Sequence, residues 1–471
     1  MSKIDRKIMP RGYQKLILDL IKLHTDKKKS VLLELDCGMG KRVVTYELLT
    51  SIFPESRILL VVLSSSSLVE TKEFLQNEYG GVEGFNWLGP GISGSYAQKI
   101  MKDSRVILTT PQKLANIIGK SNDNLADSFD IIIINEVDKL VRRMGSKRVL
   151  VYPWPTLFEE FSNSLIIGMS GTLRDSHYVL DTNQIELRKE LDTLQEFIPS
   201  SELIYMDFLA GTDVTDFTKE TSVEAVPVYD EVISKISRII GEQLREAYKE
   251  ISLELEREDP EYLAQVKKIG PQALLQAPVS ESTRAKAQSL TLIRKYLFSM
   301  VPQQLKKFIW KIPDLDVGDL PVTPQKVTKV VEIAKSTNKT VVLCSYINTA
   351  KTIASFLTRS KINSFIVTGQ VFDKNAVLQD FRNYEGKAVL LMSPVGERDI
   401  DLPEADKLII FDCVRTIKTV YQQLKRIRGG HGIFLYYEDS YEAKKVHSII
   451  DNLIERYPWS TKQISNITPI N

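Results

Sequence analysis

The chain has 471 residues, 43% hydrophobic and 26% charged, which excludes a disordered tail and suits a globular protein of roughly two to four domains. Net charge is only +2, so any nucleic-acid surface must be a local patch rather than the whole chain. Three scattered cysteines, Cys37, Cys344 and Cys413, and four scattered histidines favour a reducing compartment and exclude a disulfide framework or zinc catalysis.

The opening "MSKIDRKIMPRGYQ" has no apolar signal core, and no run of 18 apolar residues follows. A cytoplasmic protein without a membrane span is therefore expected. Apolar runs then alternate with helical patterns: "SVLLEL", "RILLVVL", "RVILTT", "DIIIIN" and "SLIIGMS". Runs apolar on both faces are what a parallel sheet covered by helices requires. Residues 1–174 are thus expected to form one α/β lobe.

From 175 to 320 that rhythm is lost. The stretch from Pro227 to Glu258 repeats Val232, Ile236, Ile239, Leu244, Ile251 and Leu255 at helical spacing, and its far end is acidic. Pro260 and Pro271 break the following helices, and "STRAKAQSLTLIRKYLFSMV" is helical again. This region is expected to be a helical insertion. After a linker, "PDLDVGDLPVTP", the α/β rhythm returns with "TVVLCSY", "NSFIVTG", "AVLLMS", "KLIIFD" and "GIFLYY". Residues 321–471 are expected to form a second α/β lobe with a short C-terminal helix and tail.

Two segments of the first lobe carry chemistry. In "VLLELDCGMGKRVVTYELL" a strand, a glycine turn and a helix follow one another. Gly38 and Gly40 let backbone N–H groups approach phosphate oxygens, and Lys41 supplies a charge for the outer phosphates. The pattern G-x-x-x-x-G-K-[ST] fails at Leu35 and at Arg42, so a plain strand–turn–helix corner stays open beside a phosphate loop. In "DIIIINEVDKL" a strand ends in polar residues, where a metal-holding Asp and a water-polarising Glu would stand. Here they are Asn135 and Glu136; an ordinary strand exit is the plain alternative.

The order of these segments and their neighbours resembles superfamily 2 helicases. "RGYQ", with Tyr13 and Gln14, stands where the adenine-recognition motif belongs; "LDCGMGKR" resembles motif I, "LSSSSLVE" motif Ia, "TTPQKL" motif Ib, "NEVD" motif II and "SGT" motif III. "VVLCSYINTAKTIASFL" resembles motif IV, "SPVGERDIDLPEADKLIIFD" motif V and "TVYQQLKRIRGG" motif VI. The wording is most similar to the archaeal Hef and Fanconi-anaemia M-type branch, which also has a helical insertion after motif III. No nuclease motif follows. The resemblance implies two RecA-like lobes with a helical insertion between them, and DNA as partner, branched or forked, in repair or recombination. It places Ser64, Ser65, Ser66, Thr109, Thr110, Pro111, Thr368, Gly369, Gln370 and Ser393 near the nucleic-acid backbone, where small hydroxyls and amides touch phosphates. It implies nucleotide contacts from Tyr13, Gln14, Gly38, Gly40, Lys41, Arg42 and Asn135, with Glu136 and Arg426 or Arg428 as catalytic groups. A nucleoid-associated protein working with a separate structure-specific nuclease, or another repair protein, is implied by the same analogy.

The departures from the family pattern fall on catalysis. Arg42 replaces the hydroxyl that binds Mg²⁺, and Asn135 replaces the carboxylate that holds its water shell. Asp399 stands where the Hef-like pattern has glycine, and the second motif VI arginine falls on Gly429 or Gly430. A guanidinium has no lone pair for a metal but suits phosphate or carboxylate oxygens. ATP stays open as a cofactor, and Mg²⁺ is not expected in the usual site. Arg42 either replaces the metal against a nucleotide or pairs with Glu136 or Asp138, the second being preferred. Two functions stay open: a pseudo-helicase with little or no ATPase that binds DNA or docks a protein, and an active ATP-dependent translocase that remodels forks and Holliday junctions. "KLVRRMGSKR", residues 139–148, is either a basic DNA-facing segment or a solvated helix end.

Overall fold

The computed structural model describes the chain except residues 1–8, 37, 79, 121–127, 145–146, 174–175, 182–183, 210, 218–220, 270, 311–319, 322, 394–404, 413–416, 427–429, 457–460 and 464–471. Cys37, Cys413, Asp399, Arg428, Gly429 and most of the expected linker and motif V lie outside the described residues, as do the side chains of Ser66 and Arg426. The chain divides into two compact units, residues 1–218 and 219–471.

In the first unit, α1 (Gly12–Asp26) leads to β1 (Val31–Glu34), α2 (Lys41–Glu47), β2 (Ile58–Val61), α3 (Ser65–Glu73), β3 (Phe85–Trp87), α4 (Gly94–Asp103), β4 (Val106–Thr109), α5 (Pro111–Ile118) and β5 (Ile131–Asn135). There follow a hairpin of β6 (Val141–Met144) and β7 (Lys147–Leu150), α6 (Trp154–Glu160), β8 (Leu165–Ser170), a second hairpin of β9 (Ser176–Asp181) and β10 (Gln184–Lys189), α7 (Glu190–Phe197), β11 (Glu202–Ile204) and α8 (Val214–Phe217). Seven strands pair in parallel in the order β11-β1-β8-β5-β2-β4-β3. The isoleucines of β5 show why. β-branched side chains suit the pleat, and helices cover both faces of the sheet. Ile132 and Ile134 join one buried cluster with Leu59, Val61 and Ile107, each worth about 1.5–3 kcal/mol of burial.

In the second unit, β12 (Thr221–Val228) precedes α9 (Glu231–Glu258), α10 (Pro260–Ile269), α11 (Glu281–Ser299), α12 (Pro302–Ile309) and α13 (Gln325–Lys335). Then come β13 (Lys339–Leu343), α14 (Ile347–Arg359), β14 (Asn363–Val367), α15 (Lys374–Asn383), β15 (Ala388–Met392), β16 (Lys407–Ile410), α16 (Ile417–Arg426), β17 (His431–Tyr437), α17 (Tyr441–Arg456) and β18 (Thr461–Gln463). This sheet is also parallel throughout, in the order β14-β15-β13-β16-β17-β12-β18. The expected pair of parallel α/β lobes is present. No helix among the described residues is long and apolar enough to cross a membrane.

The stretch 175–320 differs from the expected separate helical insertion. Its first part belongs to the first unit, where β11 pairs with β1 at the sheet edge. Its next part belongs to the second, where β12 lies between β17 and β18. Pro227 is therefore in a strand, not a helix. Only Thr221–Val223 of β12 face β18, so Pro227 sits beyond the end of β18, where its missing N–H costs no ladder bond on that side. The long helix begins only after Asp230, whose side chain accepts the Ile233 N–H at 3.1 Å as N-cap. Its buried stripe, Ile233, Ile236, Ile240, Leu244, Ala247, Ile251 and Leu255, starts in the same core as Val330, Val342 and Leu391. The helical part thus packs on the second sheet. The basic segment 139–148 is not a helix end either: it runs through a 3₁₀ turn (Val137–Leu140) into the β6–β7 hairpin, with Arg143 paired to Arg148 in register.

One buried ion pair ties this unit together. Lys326 of α13 is 0% exposed and Glu442 of α17 is 3% exposed. The ammonium donates to Glu442 at 2.6 Å and to the Phe298 and Phe411 carbonyls at 3.3 and 3.0 Å. The other carboxylate oxygen accepts the Tyr437 N–H at 2.9 Å. Burial pushes the Glu442 carboxyl up, while Lys326 and these hydrogen bonds pull it down.

Candidate functional site

Because the strands of the first sheet are parallel, their C-terminal ends share one edge, where α/β sheets bind ligands. The loop after β1, Ser64 after β2, Thr110 after β4, Glu136 after β5 and Ser170 at the end of β8 all lie there. Gly38 and Gly40 hold φ of +82° and +79°, which glycine adopts without strain. A Cβ on Gly40 would lie 2.4 Å from Gln14 Nε2. The Lys41 ammonium crosses the loop to the Leu35 carbonyl at 2.9 Å.

Tyr13 and Gln14 are buried against the same loop. The Tyr13 hydroxyl and Gln14 Nε2 both donate to the Met39 carbonyl, at 2.8 and 3.1 Å. Gln14 Oε1 accepts the Arg11 N–H at 2.9 Å, closing the start of α1. Burial pushes the Tyr13 phenol up, which keeps it a neutral donor to that carbonyl. Asp213 is the residue that sequence reasoning missed: its carboxylate accepts the Gly12 and Tyr13 N–H groups at 3.0 and 2.6 Å. It satisfies two orphan donors at a helix N-terminus, and Arg11 stacks over Phe217 nearby at 3.6 Å. Nothing in the sequence links positions 200 residues apart. Asp213→Ala is expected to lower the stability of the first unit by about 1–2 kcal/mol, read by thermal melting.

The β5 exit is strained and partly satisfied. Glu136 has φ of +59°, uncommon for a residue with a side chain, and its carboxylate lies 3.5 Å from the Lys139 ammonium. Asp138 is 3% exposed and accepts the Ser170 hydroxyl at 2.6 Å. Ser170 in turn accepts the Thr172 N–H at 3.1 Å, so the second and third candidate motifs form one buried network. Glu34, 1% exposed, holds the adjoining Leu173 N–H at 2.8 Å. Asn135 is different: its Oδ1 is buried without a hydrogen-bond partner.

Arg42 corrects an expectation. Its guanidinium pairs with Glu70 of α3 at 2.7 Å, both side chains 44% exposed, and lies 5.7 Å over the Phe74 ring. The preferred pairing with Glu136 or Asp138 is not what the structure has. Asp138 is engaged by Ser170 and Glu136 by Lys139, whereas Glu70 presents a carboxylate beside the first turn of α2.

The residues fit the phosphates of a nucleotide, with Lys41 and the glycine loop to hold them. They fit the usual magnesium poorly: a guanidinium offers a cation no lone pair, and a neutral amide lacks the charge of the carboxylate it replaces. Among the described residues no three His, Cys, Asp or Glu side chains converge as a metal site.

The nucleic-acid candidates are placed unevenly. Ser64 caps α3, accepting the Ser67 N–H at 3.1 Å, and Ser65 is exposed. Thr109 is fully buried, Thr110 half-buried, and Pro111 opens α5. In the second unit Thr368 is buried and accepts the Gln370 N–H at 3.3 Å. Gly369 and Gln370 are exposed just beyond it, and Ser393 is buried, its N–H donating to the Val367 carbonyl at 3.2 Å. Among these, Ser65 and Gln370 expose side chains and Gly369 only its backbone, whereas Thr109, Thr368 and Ser393 are buried within the loops. Asp412 was also missed: it accepts the Ser345 N–H at 2.8 Å at the start of the motif IV loop.

Two family models match the chain. Residues 7–175 match the type III restriction enzyme res subunit, and residues 325–430 match the helicase conserved C-terminal domain. Among solved structures, the helicase domain of Hef from Pyrococcus furiosus is similar at 18% identity, over 93% of this chain and 98% of that one, with a TM-score of 0.60. A DEAD box protein from Methanococcus jannaschii is similar at 11% identity over 97% of this chain and 93% of that one, with a TM-score of 0.44. No curated protein matches.

Proposed function

We propose that this chain, which matches a type III restriction res-subunit model and a helicase C-terminal model on two parallel α/β lobes, acts on branched or forked DNA in repair or recombination as a superfamily 2 pseudo-helicase with little or no ATPase that binds DNA or docks a protein partner. One observation carries this reading. The group at the magnesium-hydroxyl position, Arg42, is held by Glu70 on a neighbouring helix, and the group at the magnesium-carboxylate position, Asn135, is a neutral amide with a buried oxygen left unpartnered. Phosphoryl transfer in such sites relies on metal and arginine to neutralise developing charge. With the hydroxyl and the carboxylate both replaced, Lys41 would still hold outer phosphates and Glu136 would still polarise a water, but the residues that would hold a charge-neutralising magnesium are gone.

What remains is a scaffold. Exposed Ser65, Gly369 and Gln370, with the Ser64-capped helix, touch the DNA backbone; a nuclease or other repair protein supplies the chemistry. A second reading, an active translocase, is favoured by the retained Lys41, Glu136 and Gln14 beside the loop. The two are separated by measuring nucleotide binding and phosphate release with and without Mg²⁺ and forked DNA. The pseudo-helicase reading expects DNA binding that is indifferent to ATP and release at the uncatalysed level. DNA-stimulated, magnesium-dependent release would sink it.

A further inference from the structure

At the edge of the first sheet opposite the loops just described, a groove of about 1260 Å³ runs between the strand starts and α6. Ser30 before β1, Ser56 before β2, Asp130 before β5 and Leu165 at the start of β8 form its floor. Phe53, Phe158 and Phe197 give it half-buried and exposed aromatic surface among polar groups, with Phe129 and Phe161 buried beneath. Phe129 and Phe161 are packed edge to face at 6.2 Å and Phe158 lies against Trp154 at 5.4 Å, whereas Phe197 is 37% exposed.

The rim carries more carboxylates than cations. Asp26, Glu55, Asp130, Glu159 and Glu196 line the groove, all exposed, against the single lining cation Lys28. Two further cations stand beside the lining: Arg57 is tied by its guanidinium to the Met101 carbonyl at 2.6 Å and stacked over Phe129, and Arg105 donates to the Phe53 and Ser56 carbonyls at 3.2 and 3.4 Å and attracts Glu55. The Arg57 backbone N–H meets Asp130 at 2.7 Å, and its charge also acts on that carboxylate. Carboxylates crowded around aromatic surface attract a cationic chain that also carries apolar side chains, and repel nucleic acid.

We propose that this groove is a docking site for a basic, amphipathic segment of a partner protein, its apolar side chains seated on Phe53, Phe158 and Phe197 and its lysines or arginines facing Asp26, Glu159 and Glu196. Aromatic anchors in a partly desolvated centre with a charged rim are how such segments are held. The groove opens at the N-terminal ends of the strands, so a docked partner leaves the C-terminal edge free. The inference does not depend on whether ATP is hydrolysed.

The test uses the full chain and a fluorescein-labelled amphipathic peptide of lysine and phenylalanine, followed by anisotropy. It is compared with a peptide of glutamate and phenylalanine and one of lysine and serine. The lysine–phenylalanine peptide should bind, the other two should not, and binding should weaken by about tenfold or more as salt shortens the screening length. Glu159→Gln with Glu196→Gln, and separately Phe197→Ser, should each weaken it by about tenfold. Glu256→Gln with Glu258→Gln, exposed on α9 of the other unit, should not. Thermal melting confirms that each variant is folded, and Asp26→Asn replaces any that is not. Equal weakening by the α9 control, or groove variants that bind like the parent, would overturn the proposal. Concentration-dependent dimers abolished by the groove variants would also overturn it, by giving the groove to a second copy of this chain.

Discussion

Arg42→Thr combined with Asn135→Asp is expected to raise magnesium-dependent ATP hydrolysis by about a hundredfold, while either change alone moves it by no more than about threefold. The hydroxyl and the carboxylate act on one ion, so restoring one leaves the site incomplete. A bound metal is worth several kcal/mol of transition-state stabilisation, and each ~1.4 kcal/mol is tenfold in rate. The double change is tolerable structurally. The Arg42–Glu70 pair has both side chains 44% exposed and contributes at most about 1 kcal/mol. Asn135→Asp puts a charge where an amide oxygen already lacks a partner, and Mg²⁺ with nucleotide would compensate it. Phosphate release with Mg²⁺, with chelator and with forked DNA is the measurement. A parent protein already as fast as the double variant would refute the idea that these two positions silence the site.

The second large effect is structural. Lys326→Met is expected to destabilise the second unit by about 3–5 kcal/mol, because it strands a carboxylate that is 3% exposed and unties two backbone carbonyls. Adding Glu442→Leu should cost about 2 kcal/mol less than the sum of the single changes, since the stranded charge is then gone. Hydrogen exchange of the β13 and β16 amides reads this unit directly. An additive double variant would show that Lys326 acts through its carbonyl contacts alone.

Several parts of the fold were legible as residues. The isoleucine run of β5, the apolar runs of β1, β2, β4 and β8, and their counterparts β13, β15, β16 and β17 each became a parallel strand, because a strand buried on both faces must be apolar throughout; β14, at the sheet edge, is only partly buried. The helical spacing from Val232 to Leu255 became α9. The elements missed were short or irregular. β11 has three residues, and β12 alternates but carries Pro227, which reads as a breaker until the end of β18 frees that edge. The basic run 139–148 was read as a DNA-facing segment or a helix end, and a hairpin register cannot be seen in a charge pattern.

For the site, the sequence by itself determined which groups are present. Gly38, Gly40 and Lys41 form the turn and charge, and Arg42 and Asn135 remove a hydroxyl and a carboxylate, because chemical identity is fixed by the residue type. Only the tertiary structure decided what each group touches. It took Arg42 to Glu70 rather than to Glu136 or Asp138, joined Asp138 to Ser170, and brought Asp213 back to the start of α1. Those choices depend on parallel strands that align distant loops along one edge. Partners separated by 28, 32 and 200 positions meet because the sheet order places them there, and no local periodicity encodes that order.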